Sequence, residues 1–507
     1  MVSLIRSTRD QPVLEPSAGA GVFVAALHEQ GFSNITAVEI DQTLASYDFA
    51  STECRSFVSW RPKKRFSAVI GNPPYIRWKN LGPEQRIEIQ NSQHWGKLFN
   101  SLSDYLMVFI VNALDALAEG GELVFITPSF WFHTQHAAKV REFMRSCGGF
   151  TDIITFGESR VFENVSSSIV IFRFVKTNRP SKSVRLFDYV GGRSLPQSLS
   201  LKNAKQFCRS EIPQFGKTSA AHWTLADRQS QDQLNRFEAW ATHKSVETEL
   251  FADHQRQARL GEFVQIANGM VSGLDRAFKV PPVLRASLST AEEAAIRRVA
   301  KGANLRRLTT QDFTWYIDIP AGLTESVVRR RFPRLIRHLE SFREDLESRY
   351  SYGNDTPFWE WSFRRSEKFL TGSAPKIFVP CKERMTNKNH ARFCLAPEGC
   401  TATQDVSAIA PLHATRESVY YMAAYLSLDE VSWWVRKRGL MKGGVAEFSE
   451  RPIASIPFRP IDWSNPNEVQ CHNDIVGLVQ SSLGEPNVEV VLLKIRQLFI
   501  SHLGLPV

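Results

Sequence analysis

Between Pro12 and Phe174 short apolar runs keep returning with helical stretches between them, and this alternation constrains the fold more than any other feature of the chain. A short apolar run reads as a buried strand and a helical pattern between two of them as a crossover, which together make a parallel sheet with helices on its faces. Pro12-Val-Leu-Glu15 is a strand, Gly21 to Gln30 a helix, Ile35-Thr-Ala-Val-Glu39 the next strand and Ala68-Val-Ile-Gly71 a further one. A long helix from about Asp104 to Ala118 stops at Gly120-Gly121, before the strand Glu122-Leu-Val-Phe-Ile126. A helix from His136 to Ser146 follows. Ile153-Ile-Thr-Phe156 and Ser168 to Phe174 then succeed one another with no helical pattern between them, which predicts an antiparallel final hairpin. The fold class is α/β: a doubly wound, mostly parallel sheet closed by that hairpin.

The chain has 507 residues, and at roughly 100–200 residues per domain it should hold two to four cores. Residues 177–220, rich in Lys, Ser, Pro and Gln, read as a linker. Beyond them the βα regularity is lost. Helical segments near Glu292–Val299, Ser326–Glu347 and Glu417–Val435 mix with short aromatic strands such as Thr314-Trp-Tyr-Ile-Asp318 and Lys376-Ile-Phe-Val379. Three parts are therefore expected: an α/β domain over 1–176, the linker, and a mixed α+β domain over 221–507. Charge separates them as well. Residues 1–180 carry 18 Lys and Arg against 17 Asp and Glu, and the remaining 327 carry 44 against 35. A basic half beside a neutral half points to docking on a polyanion by one part and different work by the other, although a solvated basic surface would give the same count.

With 43% apolar and 22% charged residues the composition is that of a globular protein. The most apolar stretch, Tyr105 to Ala118, contains Asn112 and Asp115 and falls short of the roughly 18 residues a membrane span needs. Met1-Val-Ser-Leu-Ile-Arg lacks the pattern of a signal peptide, and seven scattered cysteines make no disulfide framework, so a reducing bacterial cytoplasm is expected. Cys381, Cys394 and Cys400 with His390 show no C-x-x-C pair, and no metal is assigned.

Chemistry enters at Val13-Leu-Glu-Pro-Ser-Ala-Gly-Ala-Gly-Val-Phe23, a strand, a carboxylate, a glycine turn and a helix start. Gly19 and Gly21 let backbone approach a ligand at the carboxyl end of the first strand. The third glycine of a dinucleotide fingerprint is missing, as is the Gly-Lys-Ser/Thr of a P-loop. Glu15 would repel a pyrophosphate but accept from an ammonium, and Glu39 ends the second strand, where acidic side chains hold ribose hydroxyls. An amino acid joined to a nucleoside satisfies both, and S-adenosylmethionine is such a molecule. A plain glycine turn with a strand-end glutamate satisfies them equally.

Asn72-Pro-Pro-Tyr75, directly after the strand ending at Gly71, breaks the tie. Two prolines fix an extended backbone that points the Asn72 amide and the Pro73 carbonyl into one space. An exocyclic ring amine is a poor nucleophile because its lone pair is delocalised. Two acceptors on its two hydrogens favour a more tetrahedral nitrogen and free that pair. Tyr75 can stack on the ring.

On these motifs segment 13–176 resembles the gamma-class DNA amino-methyltransferases of restriction-modification systems, in which the cofactor motif precedes Asn-Pro-Pro-Tyr and a target-recognition domain follows. The resemblance implies a site-specific adenine-N6 methyltransferase of a type II system. Glu15, Pro16, Ala18, Gly19 and Gly21 would line the methionine end of S-adenosylmethionine, Glu39 and Ile40 would lie at its ribose, and Phe57 and Phe109 would pack on its adenine, with Asn72 nearby. Asn72, Pro73, Pro74 and Tyr75 would form the catalytic segment. Gly157-Glu-Ser-Arg-Val-Phe162 is similar to the loop whose aromatic residue, here Phe162, stacks on the flipped base opposite Tyr75. The position before Phe57, acidic in many relatives, is Ser56, and the helix and Thr-Pro loop that precede the cofactor strand in relatives have no counterpart after Met1.

Further on, Ile266-Ala-Asn-Gly-Met-Val-Ser-Gly-Leu-Asp-Arg-Ala-Phe278, Leu426-Ser-Leu428 and a Pro-ended strand at Ser455-Ile-Pro457 are similar to target-recognition signatures. The basic run Arg329-Arg-Arg-Phe-Pro-Arg334 offers phosphate contacts, or equally a solvated helix start. The partner expected is double-stranded DNA, with no membrane, a monomeric enzyme, and a cognate endonuclease that shares the site without binding. Cytosine-N4 methylation, or a protein-glutamine or RNA methyltransferase, would use the same tetrapeptide. The long basic C-terminal part argues against the protein-glutamine enzymes, which are short.

Overall fold

The computed structural model describes residues 1–506 apart from 102, 158, 160, 163–167, 193, 216–222, 242–257, 351–355, 387, 389, 443 and 484–486. Two compact units divide the chain, Met1–Gln231 and Asp232–Val507.

The first unit is α/β, as its alternation requires. In chain order it contains β1 (Val13–Glu15), α1 (Val22–Glu29), β2 (Ile35–Glu39), β3 (Ser51–Cys54), β4 (Phe66–Gly71), α2 (Pro83–Gln90), α3 (Tyr105–Ala116), β5 (Leu117–Pro128), α4 (Ala138–Cys147), β6 (Gly148–Thr155), β7 (Ile169–Lys176), β8 (Ser183–Tyr189) and β9 (Phe207–Pro213). The nine strands form one sheet in the order β3-β2-β1-β4-β5-β7-β6-β8-β9. From β1 the chain moves outward through β2 and β3, then returns to lay β4 on the other side of β1, both neighbours parallel to it. The order therefore reverses between β1 and β4, and the crevice outside their carboxyl ends is where open α/β sheets take ligands.

β7 runs antiparallel to both β5 and β6, the expected hairpin partner. The sheet does not finish there. Residues 177–220, read from composition as a linker, carry β8 and β9, which continue the sheet from β6. The loop chemistry between these strands outweighed the alternation of Ser183-Val-Arg-Leu-Phe-Asp-Tyr189, whose Val184, Leu186, Phe187 and Tyr189 are buried. Gly120-Gly121 also behaves otherwise than expected. The helix ends at Ala116, and the glycines lie inside β5 at a register shift against β4, Gly120 with φ +77°.

Alternate strand residues feed two cores on opposite faces. Leu14, Val38, Val69, Leu123 and Phe125 join one with α3, while Val13, Ala37, Ala68, Val124 and Ile126 join the other with α1. α3 is buried on nearly every side, which accounts for its unbroken apolar run.

The second unit is mixed α+β. A five-stranded sheet has the order Val264–Asn268, Val406–Pro411, Ile377–Pro380, Cys394–Leu395, Leu308–Thr309, and two three-stranded sheets accompany it. Two helices, Pro466–Ser481 and Val488–Leu503, pack together near its end. The helix expected near Glu292–Val299 is a single turn, Thr290–Glu293, followed by the strand Ile296–Ala300. The Ser289/Glu292 capping box is real, but only one turn follows it. Ser326–Glu347 is three helices, one of them opened by Pro333 at its first turn. Ser455-Ile-Pro457 is not a strand; it follows the helix Glu450–Ala454 and makes a single bridge, Pro457 with Arg259. Among the described residues no helix is long and apolar enough to cross a membrane, and no group of three or more His, Cys, Asp or Glu could hold a metal.

Candidate active site

The ends of β1, β2 and β4 converge, and the connections between them are short and specific. Gly19 and Gly21 have φ +52° and +78°, the left-handed region that glycine enters without penalty. Gly21 has a second reason to lack a side chain, because a Cβ there would stand 2.8 Å from the Tyr47 ring. Tyr47 in turn donates to the Gly19 carbonyl at 2.6 Å, and the Ala18 amide donates to Val38 at 3.0 Å, so the turn is clamped on β2. Ser17 donates from its hydroxyl to the Asn72 carbonyl at 3.3 Å, linking the ends of β1 and β4.

Glu15 is fully buried, and no side chain among the described residues hydrogen-bonds either carboxylate oxygen; the Ser17 backbone amide approaches it, outside good hydrogen-bond geometry. Burial pushes its carboxyl well above the ordinary value; the Ser17 backbone amide pulls against that shift, and the charge of Glu39 adds to it. An orphaned acid of this kind is an incomplete arrangement, and a cation is what completes it. Glu39 is already engaged. Its Oε2 accepts from the Gly19 amide at 2.7 Å and its Oε1 from the Ile40 and Asp41 amides at 2.8 and 3.0 Å, which leaves lone-pair capacity for one more donor.

A cavity of about 240 Å³ opens between these strand ends. Its walls include Pro16, Glu39, Ile40, Phe57, Asn72, Pro74 and Phe109, all singled out from the sequence. The Phe57 and Phe109 rings lie 5.2 Å apart and form its apolar side. Glu15, Ala18, Gly19 and Gly21 lie along the β1 turn and are not among the lining residues.

The sequence reading missed Ser17, Arg55, Ile76, Gln85 and Tyr105, which also line the cavity, and assigned Ser56 no part in it. Burial pushes the Tyr105 phenol up to about 12, with the Ser56 side chain opposing that shift through a hydrogen bond. Asn112 contributes from behind: its Nδ2 donates to the Phe57 and Val58 carbonyls at 3.3 and 2.9 Å, holding the backbone that carries the Phe57 ring. The signal for it was a lone amide directly after the apolar run Leu106–Val111.

Asn72 lies exposed after β4, followed by the buried Pro73 and half-buried Pro74 and Tyr75. The Tyr75 hydroxyl bonds to Asn72 Oδ1 and to the Ile126 carbonyl at the end of β5, the latter at 2.8 Å. Phe162 is half-buried against the core on the opposite face of the sheet from the one that Tyr75 packs against, and the described residues show no contact between the two rings. Glu158, Arg160 and the segment 163–167 around it lie outside the described residues. In the second unit half of the basic run is paired, and Arg330 is exposed with no ion pair among the described residues. Arg329 pairs with Glu325 and Glu340, Arg334 pairs with Glu292, and Arg331 lies over the Phe332 ring.

Residues 24–162 match the family model described as the Eco57I restriction-modification methylase. The chain is 35% identical over its whole length to the type II methyltransferase M.HindII of Haemophilus influenzae, covering 96% of that protein. It is 33% identical to the type II methyltransferase M.HincII from Haemophilus influenzae, again over its whole length and 95% of that protein. Among solved structures, the type IIL restriction-modification enzyme MmeI in complex with DNA superposes with a TM-score of 0.62 over 98% of this chain and 71% of that one, at 12% identity, a likeness of fold.

Proposed function

The chain belongs to the type II methyltransferases of restriction-modification systems, and from that membership we propose that it transfers a methyl group from S-adenosylmethionine to N6 of an adenine flipped out of duplex DNA, shielding host DNA from a cognate endonuclease. The observation that carries this reading is the presence of Asn72 in the wall of the cavity that also holds Glu39, Phe57 and Phe109. One wall thus offers the acceptor for an amine, and the rest offers the acid and the rings that suit a nucleoside.

The fit to S-adenosylmethionine rests on Glu15. A buried carboxyl with no side-chain partner, beside the glycine turn, suits the ammonium of the amino-acid end. Glu39, held by three backbone amides, presents its remaining lone pair to a ribose hydroxyl beside Ile40, and Phe57 and Phe109 pack on the adenine. The bound cofactor supplies an electrophilic methyl group on a sulfonium. Asn72 Oδ1 and the Pro73 carbonyl accept the two hydrogens of the target amine, and Tyr75 offers a stacking face; Phe162, packed against the other face of the sheet, is not assigned to that stack. Unstacking the base costs a few kcal/mol, recovered in that stack. No strong general base is needed, because the amine loses its proton after transfer. The second unit carries the reading of DNA; of the nine surplus positive charges after residue 180, five lie in 181–231 within the first unit and four in the second, so phosphate attraction is shared between the two.

Tritiated S-adenosylmethionine offered separately with DNA, RNA and protein tests the substrate class, and single-molecule sequencing of DNA from an expressing host identifies the base. Label in DNA with modified adenines is the expected result. Label in protein or RNA, or modified cytosines, would overturn the adenine reading.

A further inference from the structure

The tetrapeptide explains Tyr75 by its ring, but its hydroxyl has work of its own. A phenol carries one hydrogen, and this one faces two acceptors, Asn72 Oδ1 and the Ile126 carbonyl. Burial pushes the phenol above its ordinary value, so that hydrogen stays on the oxygen at any working pH. The ring beneath it packs against the core that contains Phe109 and Phe125.

Asn72 needs such a partner. Its side chain is exposed, and an amide has an oxygen and an NH2 group of nearly the same shape. Turned one way it offers an acceptor to an incoming amine. Turned the other it offers two more hydrogens, and donor would meet donor. A lone amide in solvent samples both.

Resting on the adenine reading above, we infer that the Tyr75 hydroxyl is a positioning group that holds the Asn72 amide with its oxygen toward the target amine. In the empty site the phenol donates to Asn72 Oδ1 and fixes its orientation. When the amine arrives it donates to the second lone pair of the same oxygen, while the phenol keeps its hydrogen on the first. No donor is stranded in either state, and the amide never pays for a flip during the reaction.

The test uses the full chain, S-adenosylmethionine and unmethylated amplified DNA. Tyr75→Phe keeps the stacking face and removes only the hydroxyl. Losing one orienting hydrogen bond should lower kcat about 5- to 20-fold, while KM for DNA and Kd for the cofactor stay within about twofold. Asn72→Asp separates positioning from general support, because a carboxylate has two equivalent acceptor oxygens and no wrong orientation. In that background, followed by single-turnover labelling, Tyr75→Phe should cost less than about twofold. Equal penalties in both backgrounds overturn the inference, as does a Tyr75→Phe enzyme with unchanged kcat. If Asn72→Asp is silent even in single turnover, the split in the Tyr75→Phe enzyme decides: lowered kcat at constant KM supports positioning, and raised KM at constant kcat refutes it. A wild-type chain that labels no DNA refutes the adenine reading itself, an outcome distinct from these.

Discussion

Glu15 Oε1 lies 2.7 Å from the point where a Cβ would stand on Gly71, so the end of β4 is bare of a side chain just where it crosses the buried acid of β1. The same Cβ would also meet Pro16 Cδ at 3.2 Å. Gly71→Ala must therefore displace the carboxylate or the strand end. Overpacking of this kind costs about 1–3 kcal/mol. Cofactor affinity should fall at least about tenfold by calorimetry, together with a lower Tm. Gly477→Ala, inside a helix with open space around it, should leave affinity unchanged and raise Tm slightly, as alanine is the better helix former. Unaltered affinity in Gly71→Ala would show that the acid is not the cofactor's anchor.

The buried Glu15 also makes a pH prediction. Its folded carboxyl is held above the ordinary value of 4.5, so above that pH the folded chain retains a proton that the unfolded chain has lost. Stability supplied by the protonated acid is complete below that value and drains away as pH rises toward the folded one. The Tm of the protein alone should fall as pH rises from about 5, and Glu15→Gln should flatten that slope. Saturating S-adenosylmethionine should flatten it too, since an ammonium stabilises the ionised form. Parallel slopes for wild type and Glu15→Gln would remove the argument.

Asn72→Ala removes the acceptor proposed to act on the target amine. Deleting one preorganised electrostatic partner costs roughly 10²–10³ in kcat, while cofactor binding, carried by Glu15, Glu39 and the two rings, should change by less than about threefold. Single-turnover labelling and calorimetry read the two quantities. Near-normal turnover would assign the chemistry elsewhere.

The elements that form the crevice were legible because each is announced locally. Val13–Glu15, Ile35–Glu39 and the strand ending at Gly71 are apolar runs ended by a carboxylate or a glycine, and the connecting helix has its left-handed glycine in front. What was missed depends on tertiary pairing. Ser51-Thr-Glu-Cys54 has no apolar run, since as the outer strand it faces solvent, and it exists by pairing with β2. β8 nearly alternates, but it is separated from the largely polar edge strand β9 by a polar loop that looks like a boundary. The same holds in the site. Glu15, Glu39 and Asn72 stand next to punctuation that sequence shows, whereas Arg55, Gln85 and Tyr105 reach the cavity from positions whose only property is where the fold puts them.

Charge in the second unit must be weighed by what each residue touches rather than by counting. Arg329 is bonded to two carboxylates, so its charge is spent inside the protein. Lys382 is exposed on the strand Lys382–Arg384, and its side chain has no ion pair or hydrogen bond among the described residues. If the second unit attracts DNA by releasing counterions, the affinity must fall steeply with salt, and each phosphate contact contributes about 0.9 to the slope of log K against log salt. Arg329→Ala should leave that slope unchanged at little cost in stability, since its ion pairs are exposed to solvent. Lys382→Ala, if that strand lies on the phosphates, should lower the slope by about one at little cost in stability. Fluorescence anisotropy of the full chain on one duplex at four salt concentrations measures both. A reduced slope in Arg329→Ala with none in Lys382→Ala would return the phosphate contacts to the arginine run, and a wild-type slope near zero would detach the surplus charge from DNA binding altogether.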